Sequence, residues 1–222
     1  MPKTKPPAPT LRERKAADTR VSLLEALLRR IDERPLADIP VKELCDEAGV
    51  SQATFFNYFE SKVDLVKFFI RLWSVDMVAV VTGHPESDPL GAIEAFVVAT
   101  AGQSDQNPGI LAEIVGLQAR HRMAGGESVT DADLLRAFPD RPELLELPRD
   151  AGLEALIPPL VQRAIALGQL SPHTDPTEVV VAVVTIFFGV AVLRRQAPDL
   201  PVEVAYGQQL QRLWRALRAE ES

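Results

Sequence analysis

Side chains suited to reading DNA bases occur together in the stretch QATFFN, which begins at Gln52. The Gln52 amide can form two hydrogen bonds with an adenine edge, and the Thr54 hydroxyl can reach a base or a phosphate. Phe56 offers apolar contact to a thymine methyl group. Asn57 is better placed for a phosphate, which sets register rather than sequence. At helical spacing, Ala53 shares one face with Phe56 and Asn57. Gln52 and Thr54 flank that face.

The surrounding segment, residues 41–62, has the pattern of a helix, a tight turn and a second helix. Its first helix carries an apolar stripe at i, i+3 and i+4 that consists of Val41, Leu44 and Cys45. Gly49 follows where a helix can stop in a left-handed conformation, and Ser51 stands at the N-cap of the next helix. The second helix has an apolar face made of Phe55, Tyr58 and Phe59. This arrangement predicts a helix-turn-helix, whose second helix can enter the DNA major groove.

The sequence AGVSQATFFNYFESKVDL also resembles the signature of the TetR (tetracycline-repressor) family of bacterial transcription regulators. The residues that match it are Ala48, Gly49, Val50, Ser51, Thr54, Phe55, Tyr58, Phe59 and Lys62. Phe56 departs from the pattern, because the family more often has Tyr there and phenylalanine has no hydroxyl to contact a phosphate. The resemblance is specific for the first third of the chain, and the remainder is similar only in its helical layout.

The resemblance implies an all-α fold in which a three-helix head is joined by a fourth helix to a ligand-binding and dimerisation domain. We expect a disordered basic arm at 1–10, a DNA-binding domain at 11–70 and an effector-binding and dimerisation domain at 71–222. The residues expected to contact DNA are Lys42, Ser51, Gln52, Ala53, Thr54, Phe56, Asn57, Tyr58 and Lys62. The rings of Phe55, Tyr58 and Phe59 are better suited to the core of the head than to contact with a ligand.

The net charge of −7 is unevenly distributed along the chain. Residues 1–72 hold 13 Lys and Arg against 11 Asp and Glu, whereas the remainder holds 11 against 20. A slightly basic N-terminal part can approach DNA that the acidic remainder repels. The alternative is that these basic residues only solvate a surface.

The proline-rich start of the chain, residues 1–10, is expected to be disordered. Together with the start of the first helix it forms a basic arm, with Lys3, Lys5, Arg12, Arg14 and Lys15. Such an arm can touch phosphate or the minor groove, or it can remain a solvated tail.

No motif of a known catalytic site occurs in the sequence: there is no GxSxG, GxGxxG, P-loop or HExxH. The single Cys45 excludes an internal disulfide framework and any CxxC site. Three scattered histidines with one cysteine form no metal-ligand constellation. We therefore expect a protein that is not an enzyme and that has neither a metal nor a cofactor, although a small apolar effector is possible.

The start of the chain carries charge but no apolar segment typical of a signal peptide. The longest apolar run, Val179–Leu193, is interrupted by Thr185 and is shorter than the ~20 residues of a membrane-spanning helix. These features predict a cytoplasmic protein with no membrane partner.

Hydrophobic periodicity and proline positions predict further helices along the chain. Their expected bounds are 11–33, 62–81, 89–101, 108–123, 153–170, 177–195 and 203–219, with Pro158-Pro159 starting or kinking the fifth of them. Between them, residues 125–150 are polar and rich in Gly, Pro and Asp, with a hint of a short helix at 134–138. A connection of this length is either mobile or functional.

Apolar side chains in the second part of the chain are candidates for an effector site, because such sites are concave and mostly apolar. They are Trp73, Met77, Phe96, Leu117 and Phe187, together with His121. Each of them is at least equally suited to an ordinary core.

The last two predicted helices indicate how the chain assembles. The helix at 177–195 is apolar nearly all round and must be buried on most sides. Two hairpins made of the last two helices, one from each of two chains, can form a four-helix bundle with a twofold axis. The alternative is that both helices pack only within one chain.

Together these patterns predict a ligand-responsive transcription regulator that acts as a repressor. It is expected to bind a palindromic operator as a homodimer. Two alternatives remain open. One is a constitutive DNA-binding regulator whose second domain only dimerises, and the other is a helical enzyme or interaction module.

Overall fold

The computed structural model describes residues 8–120, 128–149, 153–197 and 199–218. Across these ranges the chain is entirely helical, with ten α-helices, two short 3-10 turns and no strand. The helices are α1 (Leu11–Ile31), α2 (Val41–Ala48), α3 (Gln52–Tyr58), α4 (Lys62–Thr82), α5 (Pro89–Gln106), α6 (Pro108–Arg120), α7 (Asp131–Ala137), α8 (Leu153–Ala166), α9 (Pro176–Gln196) and α10 (Val202–Leu217). The 3-10 turns are Leu36–Asp38 and Pro142–Glu146. The all-α prediction is confirmed.

Most helix bounds follow the sequence pattern, and the exceptions have local causes. α5 continues to Gln106 rather than ending near Ala101. α8 continues through Pro158-Pro159 but ends at Ala166 instead of Leu170, just before Gly168 adopts a φ of 71°. The predicted continuation of α6 to Met123 lies outside the described residues.

The chain forms two compact units. The head unit comprises Met1–Leu72 and Ala124–Leu147, and the body unit comprises Trp73–Met123 and Pro148–Ser222. The head unit differs from the expected domain at 11–70, because the described residues 128–147 pack with it instead of with the body. An ion pair between Asp133 and Arg20 of α1, both of them buried, is the physical reason.

In the head unit, α1 begins with a capping box between Thr10 and Glu13. The Glu13 backbone N–H donates to the Thr10 hydroxyl at 3.3 Å, and the Thr10 N–H donates to the Glu13 carboxylate at 2.7 Å. The hydrogen bonds from Thr10 hold the pKa of Glu13 below its ordinary value. The inner face of α1 is formed mainly by Leu23, Leu24, Leu27 and Ile31, all of them buried. This stripe matches the predicted helical periodicity.

The turn between α2 and α3 has the geometry expected from its sequence. Gly49 adopts a left-handed conformation with a φ of 68°, which glycine reaches at no steric cost. The Val50 N–H donates to the Cys45 carbonyl at 2.9 Å and closes α2. The Ser51 hydroxyl then accepts from the Thr54 N–H at 3.0 Å, so that α3 begins at a formed N-cap. Cys45 is buried, and burial raises the pKa of its thiol.

The core of the body unit lies among α5, α8, α9 and α10. Its aromatic centre joins Phe96, Phe187 and Tyr206, all of them buried. The Tyr206 hydroxyl donates to the Phe187 carbonyl at 2.8 Å, and burial raises the pKa of this phenol far above its ordinary value. The Trp214 indole N–H donates to the Glu94 carboxylate at 3.0 Å, which ties α10 to α5.

α9 stands out among the described helices by its hydropathy. Its segment Pro176–Arg194 has a mean hydropathy of 2.2 and is long and apolar enough, by length and composition alone, to cross a membrane. The apolar run Val179–Leu193 was expected to be too short to span a bilayer. The helix that contains it is long enough, so that expectation is wrong on length. One side of α9 lies in the body core through Val179, Val183 and Phe187. The other side exposes apolar side chains, with Val181 at 61% and Leu193 at 54%.

Candidate nucleic-acid interface

The helix predicted to read DNA, α3, is anchored through one aromatic face. Phe55 is fully buried and its ring centre lies 5.7 Å from that of Phe59, which is also buried. Phe59 in turn lies 5.7 Å from the buried ring of Phe68 on α4. Three large rings thus fix the inner face of a helix with only two turns.

The opposite face of α3 is open to solvent. Gln52, Ala53, Phe56 and Asn57 are all exposed, and Phe56 keeps 54% of its surface accessible. The structure therefore brings four of the nine expected DNA-contacting residues onto one accessible surface, which we call the reading face.

The other expected residues on α3 lie at the edges of this surface. The hydroxyl oxygens of Ser51 and Thr54 are 2.9 Å apart, so each already has one partner in the N-cap. Thr54 is half-buried, as is Tyr58. Ser51 and Thr54 form the start of the helix, where free backbone N–H groups accompany their hydroxyls.

Lys42 lies exposed in the first turn of α2. Two acidic residues of α2 form ion pairs with arginines at and just after the C-terminus of α1. These arginines are therefore engaged within the head unit. Glu47 pairs with Arg29 and Arg30, and Glu43 pairs with Arg34. The hydrogen bond from Arg34 holds the pKa of Glu43 below its ordinary value.

The structure gives Lys62 a role other than the phosphate contact expected for it. Its ammonium donates to three backbone carbonyls in and beside the 3-10 turn Leu36–Asp38. The acceptors are Leu36 at 2.5 Å, Ala37 at 3.0 Å and Ile39 at 2.6 Å. An ammonium has three N–H donors, and each is accounted for by one carbonyl. Lys62 therefore fastens the start of α4 to the chain that enters α2.

The charge argument from the sequence also needs correction. The described residues 128–147, which pack with the head, carry two arginines against five acidic residues. The slight positive balance of residues 1–72 is therefore cancelled within the head unit. Attraction to DNA must come from where exposed cations lie, as at Lys42 and at Arg12, Arg14 and Lys15 on the first turns of α1. Lys3 and Lys5 of the basic arm lie outside the described residues.

Four of the six effector candidates meet in the body unit. The Trp73 ring centre lies 5.9 Å from that of Phe96 and 6.4 Å from that of Phe187. Met77 is buried in the same cluster, and its sulfur lies 3.6 Å from the Thr100 hydroxyl. Leu117 is buried on α6. His121 lies outside the described residues.

Sequence reasoning missed the buried charges of the head unit. Arg20 and Asp133 are 6% and 0% exposed, and they are 113 positions apart in the chain. The one local signal was the spacing of Thr130 and Asp133, which form a capping box at the start of α7. That spacing predicts the helix but not what it packs against.

A segment of the head unit matches a known family model. Residues 23–67 match the family model described as bacterial regulatory proteins, tetR family. The interval contains the C-terminal part of α1, all of α2 and α3, and the start of α4. This segment of the chain is therefore similar to the TetR family of bacterial regulators.

A curated relative and two solved structures extend the TetR comparison. The nucleoid occlusion factor SlmA of Marinomonas sp. (strain MWYL1) is 29% identical over 98 residues, which are 43% of this chain and 50% of the relative. The chain thus spans about half the length of the curated relative it matches. The regulatory protein TetR from Rhodobacter sphaeroides has a TM-score of 0.55 at 19% identity, covering 87% of this chain and 97% of the other. A TetR-family regulator from Cytophaga hutchinsonii has a TM-score of 0.56 at 13% identity, covering 93% and 98%. At these identities the two structures establish the TetR fold alone.

The carbonyl contacts of Lys62 predict that its removal lowers stability. Lys62→Met should destabilise the head unit by about 2 kcal/mol, because it removes three hydrogen bonds from a charged donor to backbone carbonyls. Lys67→Met on the same helix is the matched control. Its ammonium binds a partly exposed Asp64 at 2.9 Å, so its loss should cost less than about 0.5 kcal/mol. Urea unfolding followed by circular dichroism measures both values.

The salt dependence of DNA binding separates the two roles of Lys62. If Lys62 only fastens α4, the slope of log affinity against log salt stays at the wild-type value. A phosphate contact would instead lower that slope by about 1 and leave stability unchanged.

Proposed function

We propose that this chain is a transcription repressor that binds a palindromic operator as a homodimer and responds to a small apolar effector. The observation that carries the proposal is the reading face of α3. It exposes Gln52, Ala53, Phe56 and Asn57 in the accessible half of a helix whose other half is locked by buried rings. The proposal includes no catalytic role.

The chemistry of the reading face supports major-groove recognition. Gln52 can make paired hydrogen bonds with adenine, and Phe56 can pack on a thymine methyl group. Asn57 and Lys42 are exposed polar groups suited to phosphates, which fix the register of the helix on the duplex. Affinity should therefore combine a small base-specific part with a salt-dependent phosphate part.

The exposed side of α9 supports a homodimer. Val181, Thr185, Gly189 and Val192 recur every three or four residues and form one exposed stripe of small and β-branched side chains. Such a stripe lets a second helix approach closely. A twofold pair then places two α3 helices in half-sites about 34–36 Å apart, one turn of DNA.

The neighbouring helix argues against a membrane as the cover of α9. α10 exposes charged and polar side chains, namely Glu203, Gln208, Arg212 and Arg215. Charged groups are costly inside a bilayer. A second copy of this chain covers the apolar stripe without burying these charges in lipid.

The aromatic cluster of Trp73, Phe96 and Phe187 is the proposed place for an effector. A ligand that separates these rings has to bind one arrangement of the body better than the other to change DNA affinity. Coupling of about 1–3 kcal/mol changes operator affinity some 5- to 150-fold.

A constitutive regulator is the second candidate, and the same rings favour it. Phe187 packs on Phe96 and on Tyr206 at centre distances of 6.2 and 6.3 Å, with the planes near parallel. Rings packed against each other in this way form an ordinary hydrophobic core. In that case the body unit only dimerises.

Selection of bound sequences from a random DNA pool tests the proposal. The purified chain should enrich a palindrome with half-site centres about one helical turn apart. Enrichment of a single half-site would contradict the dimer, and no enrichment at low salt would contradict operator binding by the ligand-free protein. Mass spectrometry of the purified protein under native conditions then checks for a carried effector.

Gln52→Ala tests the base contact on the selected operator. It should weaken binding by about 1–3 kcal/mol and relax the preference at one position of each half-site. Gln162→Ala, an exposed glutamine on α8, is the control and should change neither. Fluorescence anisotropy with the operator and with its single-base variants gives both quantities. Equal weakening on every sequence would assign Gln52 to the phosphate backbone.

Val181→Glu tests the dimer. The side chain is 61% exposed in one chain, so the substitution should leave the monomer folded and place a charge in the interface between two chains. Sedimentation equilibrium should give the chain mass of 24.3 kDa for this variant and twice that mass for the wild type. Leu167→Glu, at an exposed position after α8, should remain dimeric. A dimeric Val181→Glu variant would exclude this stripe from the interface.

A further inference from the structure

The Phe56 ring on the reading face of α3 is supported from behind by the core of the head unit. Its centre lies 5.3 Å from that of the buried Phe55 ring, with the planes at 82°, so the two rings meet edge to face. Phe55 in turn packs against the buried Phe59. A ring with such a contact has less freedom to lose when it binds a partner. The exposed 54% of Phe56 is the part that remains open to one.

The seven residues of α3, QATFFNY, include no arginine or lysine. The commonest base-specific contact, from a cation to the O6 and N7 atoms of guanine, is therefore not available from within this helix. Base discrimination by the reading face has to come from neutral side chains, and Phe56 is the largest apolar one among them.

The side chain of Phe56 has no polar atom, and this limits what it can contact in the major groove. Most groups on the major-groove edges of the bases are polar: N7 and O6 of guanine, N7 and N6 of adenine, N4 of cytosine and O4 of thymine. An apolar ring that covers one of them removes its water and offers no hydrogen bond in return, which lowers affinity. The C5-methyl group of thymine is the apolar exception.

The position of Phe56 on α3 places it beside a residue suited to a base contact. Gln52 precedes it by four residues, so the two side chains lie on the same helix face, one turn apart. Ala53 shares that face, and its small side chain lets the helix backbone come close to the base edges. Gln52 and Phe56 can therefore contact neighbouring base pairs of one half-site.

We propose that Phe56 is a specificity-determining residue that recognises a C5-methylated pyrimidine in each half-site of the operator. The inference rests on the proposed operator binding. Thymine always carries this methyl group. Cytosine acquires the same group, at the same place on its major-groove edge, when DNA is methylated at C5. Methylation of a cytosine that faces Phe56 therefore raises operator affinity.

Replacing thymine by deoxyuridine in the selected operator tests the recognition of the methyl group, because uracil differs from thymine only in lacking it. Each thymine position is replaced in turn, symmetrically in both half-sites. At one position the wild type should bind about fourfold more weakly for each methyl group lost, or about fifteenfold for the two half-sites. Phe56→Ala should bind the two operators equally well. Fluorescence anisotropy gives each affinity.

Asn57→Ala is the matched control, because Asn57 is the neighbouring exposed residue on the reading face. It should weaken binding to both operators and keep the wild-type ratio between thymine and uracil. Phe56→Ala should fold, since alanine is the best helix former and Phe56 lies outside the buried core. A misplaced helix would lower both affinities together, whereas a lost methyl contact changes their ratio.

A second pair of operators carries cytosine at the same position, with and without the C5-methyl group. The wild type should bind the methylated form more tightly, by about fourfold for each methyl group, and Phe56→Ala should not distinguish the two forms.

Three results would overturn the inference and leave operator binding intact. They are equal wild-type affinity for thymine and uracil at every position, equal wild-type affinity for both forms of cytosine, and a wild-type ratio that persists in Phe56→Ala. Failure to select any operator would overturn the proposed function, and the inference with it.

Discussion

A recognition helix of seven residues is too short to be stable in water by itself, and this constraint governs the head unit. Its ends are fixed by the left-handed Gly49 and by the Ser51 N-cap, and its inner face is fixed by Phe55. Since the helix makes few hydrogen bonds of its own, its direction follows that of the rings behind it. The orientation of the reading face therefore depends on how Phe59 and Phe68 are packed behind α3.

The same constraint explains how the head uses its positive charges. Lys62 holds the entry to α2, and Arg20 supports Phe68 from the far side of the aromatic cluster. Arg30 joins α1 to α2 through Glu47. Cations that hold helices in place are not available as phosphate ligands, so the net charge of the head says little about DNA. The cation that matters for DNA binding is the exposed Lys42, which lies on α2, the helix that precedes α3.

Features set by neighbouring residues could be predicted from the sequence, and features set by distant residues could not. The turn at Gly49, the cap at Ser51 and the exposed Phe56 follow from local spacing and conformational preference. The partner of Asp133 lies 113 positions earlier, and no periodicity connects the two residues. The carbonyl contacts of Lys62 could not be predicted for a related reason: from the sequence alone a lysine beside a recognition helix suits a phosphate, and its nearby carbonyls are identified only in space.

α4 contributes aromatic side chains to both units. One continuous helix contributes Phe68 to the head unit and Trp73 to the body unit, five positions apart. Phe68 contacts the aromatic rings behind α3, and Trp73 contacts Phe96 and Phe187. A helix over this short distance is stiff, so the directions in which Phe68 and Trp73 leave α4 are fixed relative to each other.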